Sequence, residues 1–312
     1  MNFLTKINYM KMARYWVVVS LVLTIAGVGA FAIMGLNKGI DFTGGIMLDI
    51  QFEQTVGAHE VETVVAKSVG SNYQVQKAQV KGAAEGTASE YFIRTPELTM
   101  EGRDKLYKDL EQVGKYKRIS EDLVSGSVSS ELTQKAALAV AIAAVLQIIY
   151  LWFRFQLKFG LTAVVALLHD LIITVGIVSL FRIQVNSAFV ASILTILGYS
   201  INDTVIVFDR IREHLRDKKK GEDLAALTTK AIQETVTRSI YTVLTVLITL
   251  GALLIWGGDT VWDFALTLFI GISSGMYSSI FIASALWLFW QQWDDRRHKA
   301  GTSKAKTKPV RA

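Results

Sequence analysis

Cysteine is absent from the 312 residues, which excludes a disulfide framework and any thiolate metal site. Two enzyme signatures are missing as well. Neither a Gly-rich phosphate loop followed by Lys and Ser/Thr nor an HExxH pattern occurs. Nucleotide hydrolysis within the chain is therefore not expected, and no cofactor or metal is called for. Charge is scarce, at 19% against 51% hydrophobic residues, and it avoids long stretches of the chain. The basic excess, +6 overall, lies mostly in short juxtamembrane stretches and the C-terminal tail, without interleaved aromatics. That pattern argues against nucleic acid as a partner and for membrane topology and anionic lipid.

The apolar residues come in runs long enough to cross a bilayer. The chain reads as an α-helical polytopic membrane protein with six transmembrane helices. Residues 1–14 carry Lys6, Lys11 and Arg14 ahead of a first span at 15–36, which places the N-terminus in the cytoplasm. Ala30-Phe31-Ala32 has the form of a signal-peptidase site, but the apolar run is longer than a usual signal core, so the span is read as uncleaved. Residues 37–135 differ in kind and are read as an extracytoplasmic domain with its linkers, between helices 1 and 2. Ile46, Leu48, Ile50 and Phe52 alternate with polar or exposed-type neighbours as a half-buried strand does. Val61, Val64 and Val65 recur at helical spacing. Tyr73, Val75, Ala78 and Val80 suggest a second strand, irregular near Lys77, followed by a Gly/Ala-rich turn at 81–89. Tyr91, Ile93 and Thr95 form a third strand. Thr95 is read as the cap of a helix with Pro96 at its first position and Leu106, Leu110 and Val113 along one face. Residues 118–124 make a last strand. The order βαββαβ is that of an α+β ferredoxin-like domain. After a linker at 125–135, helices 2–6 occupy 136–290, as spans 136–153, 159–181, 187–208, 237–256 and 261–290. A basic tail at 291–312 is read as cytoplasmic, disordered and attracted to anionic headgroups.

Several polar residues fall at membrane depth, where a carboxylate costs roughly 3 kcal/mol or more on insertion scales. Asp203 lies inside the fourth span, and its candidate partner is Arg238, near the start of the fifth. Ser192, Thr195, Tyr199, Asn202 and Asp203 fall at three- and four-residue steps and are read as one polar stripe, facing protein or water. His169 and Asp170 are adjacent in the third span. Thr242, Thr245 and Thr249 line the fifth, and Gly271, Gly275 and Ser279 form a small-residue row in the sixth. Each has a plain alternative. Asp203 and Arg238 form either a static pair that fixes helix register or a proton-carrying site. Asp170 either carries protons or hydrogen-bonds quietly to hydroxyls and backbone. His169 is read as a satisfied interior residue, and the Gly/Ser row as packing. Asp209, Arg210, Arg212 and Glu213 read equally as an ordinary solvated helix end.

The stretch 197–214, LGYSINDTVIVFDRIREH, resembles the fourth-span signature of the SecF family, the smaller membrane subunits of the bacterial SecD–SecF protein-export accessory. Gly39-Ile40-Asp41-Phe42-Thr43-Gly44-Gly45 resembles that family's GIDFTGG motif after the first span. VSGSVSSELTQKA at 124–136, Leu168-His169-Asp170 and Thr237-Arg238-Ser239 match further family segments. The motifs stand in family order across nearly the whole chain. The resemblance implies a bacterial inner-membrane protein, not an enzyme, that pairs with SecD, associates with the SecYEG channel and uses the proton-motive force to draw preproteins outward. It carries proton-path roles onto Asp203 and Arg238, with Asp170, Asn202 and Tyr199 as further pathway candidates. The loop holding Gly39, Asp41, Gly44 and Gly45 is the candidate coupling element, with Asp41 read as a structural cap. A proton-coupled half-transporter of small molecules or lipids, and a non-motor scaffold of the translocon, are the alternatives.

Overall fold

A computed structural model describes residues 7–70, 73–78, 88–219 and 221–306. Val80, most of the turn expected at 81–89, Lys220 and the tail residues Lys308 and Arg311 fall outside the described residues. The elements begin with α1 (Ala13–Met34), β1 (Asn37–Lys38) and α2 (Ile40–Thr43). They continue with β2 (Gly45–Phe52), α3 (Ala58–Val69), β3 (Gln74–Ala78), β4 (Ser89–Thr95), α4 (Met100–Val113) and β5 (Tyr116–Val124). The remainder comprises α5 (Gly126–Arg154), α6 (Leu157–Leu180), β6 (Gln184–Val185), α7 (Ser187–Arg216), α8 (Leu224–Trp256) and α9 (Asp259–Tyr277). A π-helical segment (Ser278–Ala283) then leads into α10 (Ser284–Lys306). The chain divides into two compact units, Met1–Asn37 with Ala139–Ala312, and Lys38–Leu138.

The smaller unit is an antiparallel sheet of order β3-β4-β2-β5. The alternation read in β2 is real: Ile46, Leu48, Ile50 and Phe52 are buried and pack with Val61 and Val65 of α3 and Leu106 and Leu110 of α4. Two local expectations are corrected. Lys77 pairs regularly with Tyr91. The irregularity instead falls between Asp49 and Ile50, opposite β5, where Ile119 is the extra residue. The cap of α4 is Thr99, whose side chain accepts from Gly102 N at 3.2 Å. Thr95 remains in β4, paired with Ile46. On β5, Glu121 receives Arg103 at 2.7 Å and Arg118 at 2.9 Å. Burial pushes the Glu121 carboxyl upward, but Tyr107, Arg103 and Arg118 together outweigh it and hold the group below its ordinary value.

The larger unit holds helices that are long and apolar enough to cross a membrane, six in the chain as described. The expected linker at 125–135 is already helical. Residues 127–153 contain no Gly or Pro, and Ser129 and Thr133 return their hydroxyls to the carbonyls of Gly126 (3.1 Å) and Ser129 (2.8 Å). Likewise α7 and α8 run past the apolar spans read for them, to Arg216 and from Leu224. Glycine sets the closest approach of α1 to α6. A Cβ on Gly176 would stand 2.3 Å from the Gly27 Cα. The carbonyls at the end of α1 find partners on the same neighbour: Ser179 Oγ donates to Gly35 O at 2.6 Å, and Arg182 Nη1 to Met34 O at 2.6 Å.

Two outcomes follow from these contacts. Gly176→Ala forces α1 away from α6 and lowers the thermal unfolding midpoint of the detergent-purified chain, at a cost of about 1–3 kcal/mol. Gly29→Ala, with nothing within 4 Å of the new methyl, leaves that midpoint unchanged. For Glu121, a folded pKa below the unfolded value of about 4.3 means stabilisation that is complete above that pH and lost as pH falls through the folded value. Hydrogen exchange along β5 accelerates over that acidic window, and Glu121→Gln removes this part of the acceleration.

Candidate functional site

Asp170 is the most enclosed carboxylate at membrane depth, with no exposed surface. Neighbouring helices converge on it. Ser200 of α7 and Ser278 of the π segment donate to its Oδ2, both at 2.6 Å. Ser274 of α9 donates to its Oδ1 at 2.9 Å, and His169 Nδ1 lies 3.0 Å from the same oxygen. A carboxylate only accepts, so the imidazole proton sits on Nδ1. That leaves His169 Nε2 as a buried acceptor without a partner. The arrangement depends on small residues. A Cβ on Gly275 would meet Ser200 at 3.2 Å, and Thr204 and Ser279 share a hydrogen bond of 2.8 Å one turn further along. The expected small-residue row of the sixth span is thus the contact between α7 and α9.

Asp203 is buried on α7 but treated differently. Its Oδ2 has no hydrogen-bond partner, and neither does the buried Oγ of Ser239 beside it on α8. Among the described residues no salt bridge joins Asp203 to Arg238, although the guanidinium acts on it electrostatically. The expected pair is therefore open in this conformation. A cavity of about 10 Å³ adjoins Asp203, lined among others by Tyr199, Ser200, Asn202, Thr242 and Gly275. That is room for about one water. The stripe expected on α7 splits in two. Ser192 and Asp203 face inward, whereas Asn202 is exposed and Tyr199 keeps 38% of its surface. The threonines of α8 bond back into their own helix, Thr242 to Arg238 O at 2.9 Å and Thr249 to Thr245 O at 3.1 Å, and leave Asp203 alone.

The charged end of α7 is ordered by ion pairs. Asp209 joins Arg154 and Arg212, and Glu234 holds Arg210 at 2.5 Å and His214 at 2.7 Å. In the glycine loop, Gly39 is the N-cap of α2, in extended backbone, and Asp41 sits in the first turn rather than at the cap. Gly44 and Gly45 have φ of +70° and +118°. A Cβ on Gly45 would stand 2.1 Å from Thr95 O, so both conformation and space demand glycine there.

Ser200, Ser274 and Ser278 are not singled out by the sequence reading, and Ser239 enters there only within the segment Thr237-Arg238-Ser239. Their one visible signal was proximity, within a turn, to Asp203, Arg238, Gly271 and Gly275. Gly271-Ile272-Ser273-Ser274-Gly275 also spells a GxSxG string, which that reading passed over. It lies in continuous helix, with Ser273 Oγ bonded to Phe269 O at 2.6 Å, and lacks the strand-to-helix turn that makes such a serine reactive.

Residues 105–293 match the family model for the protein export membrane protein SecD/SecF, C-terminal, and residues 29–56 match the SecD/SecF GG motif. The protein translocase subunit SecF of Sebaldella termitidis is 36% identical over 283 residues, covering 90% of each chain. The protein translocase subunit SecDF of Bacillus subtilis is 35% identical over 92% of this chain, which spans 38% of that longer one. The crystal structure of SecDF from Thermus thermophilus, described as a translocon-associated membrane protein, superposes with a TM-score of 0.82 at 32% identity, over 92% of this chain and 39% of that one. Family model, relatives and apolar helices agree: the chain is a multi-pass membrane protein that belongs to the SecD/SecF protein export family.

Proposed function

We propose that this chain works with SecD, beside the SecYEG channel, as an accessory subunit that uses the proton-motive force to assist preprotein translocation and release on the extracytoplasmic side. Both termini lie in the cytoplasm of a bacterial cell, and the basic tail rests on anionic lipid. The unit Lys38–Leu138 is an extracytoplasmic ferredoxin-like domain, a reading supported by its β3-β4-β2-β5 order and two helices on one chain path. The observation that carries the proposal is the contrast between two buried carboxylates. Asp170 has four donors, whereas Asp203 keeps an orphaned oxygen beside Arg238 and a water-sized cavity.

Asp203 is the carrier in this reading. When it is ionised, the nearby guanidinium of Arg238 attracts it, and closure of the pair draws α7 toward α8. Protonation removes that attraction and lets the helices relax apart. Tyr199 and Asn202 border the water that delivers the proton. Asp170, tied with His169 and three serines, is the fixed element of the pathway. One charge crossing 100 mV supplies about 2.3 kcal/mol, enough to shift a two-state bundle whose conformers differ by a similar amount. The exposed polar surface of Tyr199, Asn202 and Thr242 supports SecD as the covering partner, since polar side chains at that depth avoid lipid. The turn at Gly39, Asp41, Gly44 and Gly45 couples the spans to the extracytoplasmic domain.

In cells depleted of the native protein, Asp203→Asn and Arg238→Met assemble with SecD yet lose at least tenfold of the proton-motive-force-dependent part of preprotein export. Normal export by an assembled Asp203→Asn complex sinks the motor reading in favour of a scaffold. Stability separates the two carboxylates. Asp170→Ala strands three hydroxyls and an imidazole, and lowers unfolding stability by about 2–5 kcal/mol. Asp203→Ala, with no hydrogen bond to Oδ2 to lose, costs much less in the same thermal melt.

A further inference from the structure

The turn between α5 and α6 encloses an apolar crevice of about 250 Å³, lined among others by Leu151, Trp152, Phe155, Leu157, Gly160 and Leu161. Leu151 and Phe155 are buried and form its inner wall, while Trp152, Leu157 and Leu161 are exposed. The crevice therefore opens outward from the bundle, among residues of two membrane-crossing helices. Its inner wall carries a charge. The guanidiniums of Arg154 and Arg212 lie 5.3 Å and 5.4 Å from the centre of the Phe155 ring. Both share one carboxylate, Asp209, with Arg154 in direct contact and Arg212 at 3.5 Å. Two cations on one anion leave a unit of positive charge at the crevice.

The neighbouring charged groups make their ion pairs elsewhere and none of them bonds Arg154 or Arg212 in the pairs described. Lys158 is matched by Asp294 at 2.5 Å, a neutral pair. Arg210, Glu213, His214 and Glu234 form a separate network that bridges α7 to α8. The start of α6 adds to the potential, because Gln156 at its N-cap provides no side-chain bond to the first-turn N–H groups. An apolar slot on the outer surface of two membrane-crossing helices, bordered by two guanidiniums that share one carboxylate, matches one chemistry: an acyl chain with an anionic phosphate headgroup.

We propose that this crevice binds one anionic phospholipid, with an acyl chain against Phe155 and Gly160 and the phosphate on Arg154 and Arg212. The site is separate from the basic tail. It is also independent of the proton reading, because none of its residues belongs to the Asp203 or Asp170 clusters.

Native mass spectrometry of the full-length chain, released from micelles carrying equal phosphatidylglycerol and phosphatidylcholine, tests this directly. The expected result is one retained phosphatidylglycerol, preferred at least fivefold over phosphatidylcholine. Arg154→Gln combined with Arg212→Gln brings the preference close to parity. Gly160→Leu fills the slot and removes the retained lipid of either kind. A Cβ at Gly160 meets nothing nearer than Leu151 O at 3.7 Å, so this variant keeps its helical circular dichroism, and it decides the matter if the arginine variant does not fold. Equal retention of both lipids by the unaltered chain overturns the proposal, as does retention that survives Gly160→Leu. A photocrosslinker placed at Trp152 in native membranes adds a second arm. A phospholipid adduct supports the site, and an adduct to another polypeptide in place of lipid overturns it, because the crevice then belongs to a protein interface.

Discussion

A carboxylate without water must find its hydrogen bonds in the protein, and Asp170 imposes that requirement on the whole helical unit. Its donors come from α6, α7, α9 and the π segment. Serine is short, so each donor helix must bring its backbone close. Small residues permit this where α7 meets α9 and the π segment: Gly275 against Ser200 and Ser279 against Thr204. The π segment serves the same end. Its wider turn lets two consecutive serines reach two different helices, Ser278 toward Asp170 on α6 and Ser279 toward Thr204 on α7. A regular α-helical turn would also leave Ser284 bonded four residues back, whereas its hydroxyl reaches Ser279 O, five residues back. Close packing, the irregular helix and the buried charge are one arrangement in which each part requires the others.

Much of this was legible from side-chain pattern. Long apolar runs mark the membrane-crossing helices because a helix satisfies all its backbone groups within one segment while facing lipid. The alternation in β2 and the Gly271, Gly275, Ser279 row each record a one-sided packing surface. What pattern could not show was where a hydroxyl goes. A serine or threonine inside a helix ordinarily bonds its own i−4 carbonyl, as Thr174 does to Asp170 O and Thr228 to Leu224 O. Ser200, Ser274 and Ser278 are the same residue type in the same setting but turn outward to another helix. Only the third dimension distinguishes the two. The segment 125–135 misled for a related reason. Its polar residues have no apolar face to give helical period, yet its hydroxyls fold back onto the backbone and extend α5. Thr99 competed with Thr95 for the same cap, and strand pairing of Thr95 with Ile46 decided it.

The two buried carboxylates differ more in their hydrogen-bond partners than in their exposure. By exposure Asp170 is the more extreme, at 0% against 6% for Asp203. Both of its oxygens, however, are already engaged by donors from several elements. Asp203 is held less tightly. Its Oδ2 makes no hydrogen bond of ordinary length, the α8 threonines are occupied within their own helix, and Ser239 and Arg238 act on the carboxyl without closing a bridge. In the proposed reading this looser hold is what lets Asp203 bind and release a proton, since each tenfold change in proton affinity corresponds to about 1.4 kcal/mol of bias between the two states. In that reading the cavity beside Asp203, with room for about one water, is where the proton is exchanged. The rigid Asp170 cluster then has a mechanical part in the same reading: it keeps α6, α7 and α9 together, so that a change in charge at Asp203 moves α7 against α8 and is not dissipated throughout the bundle.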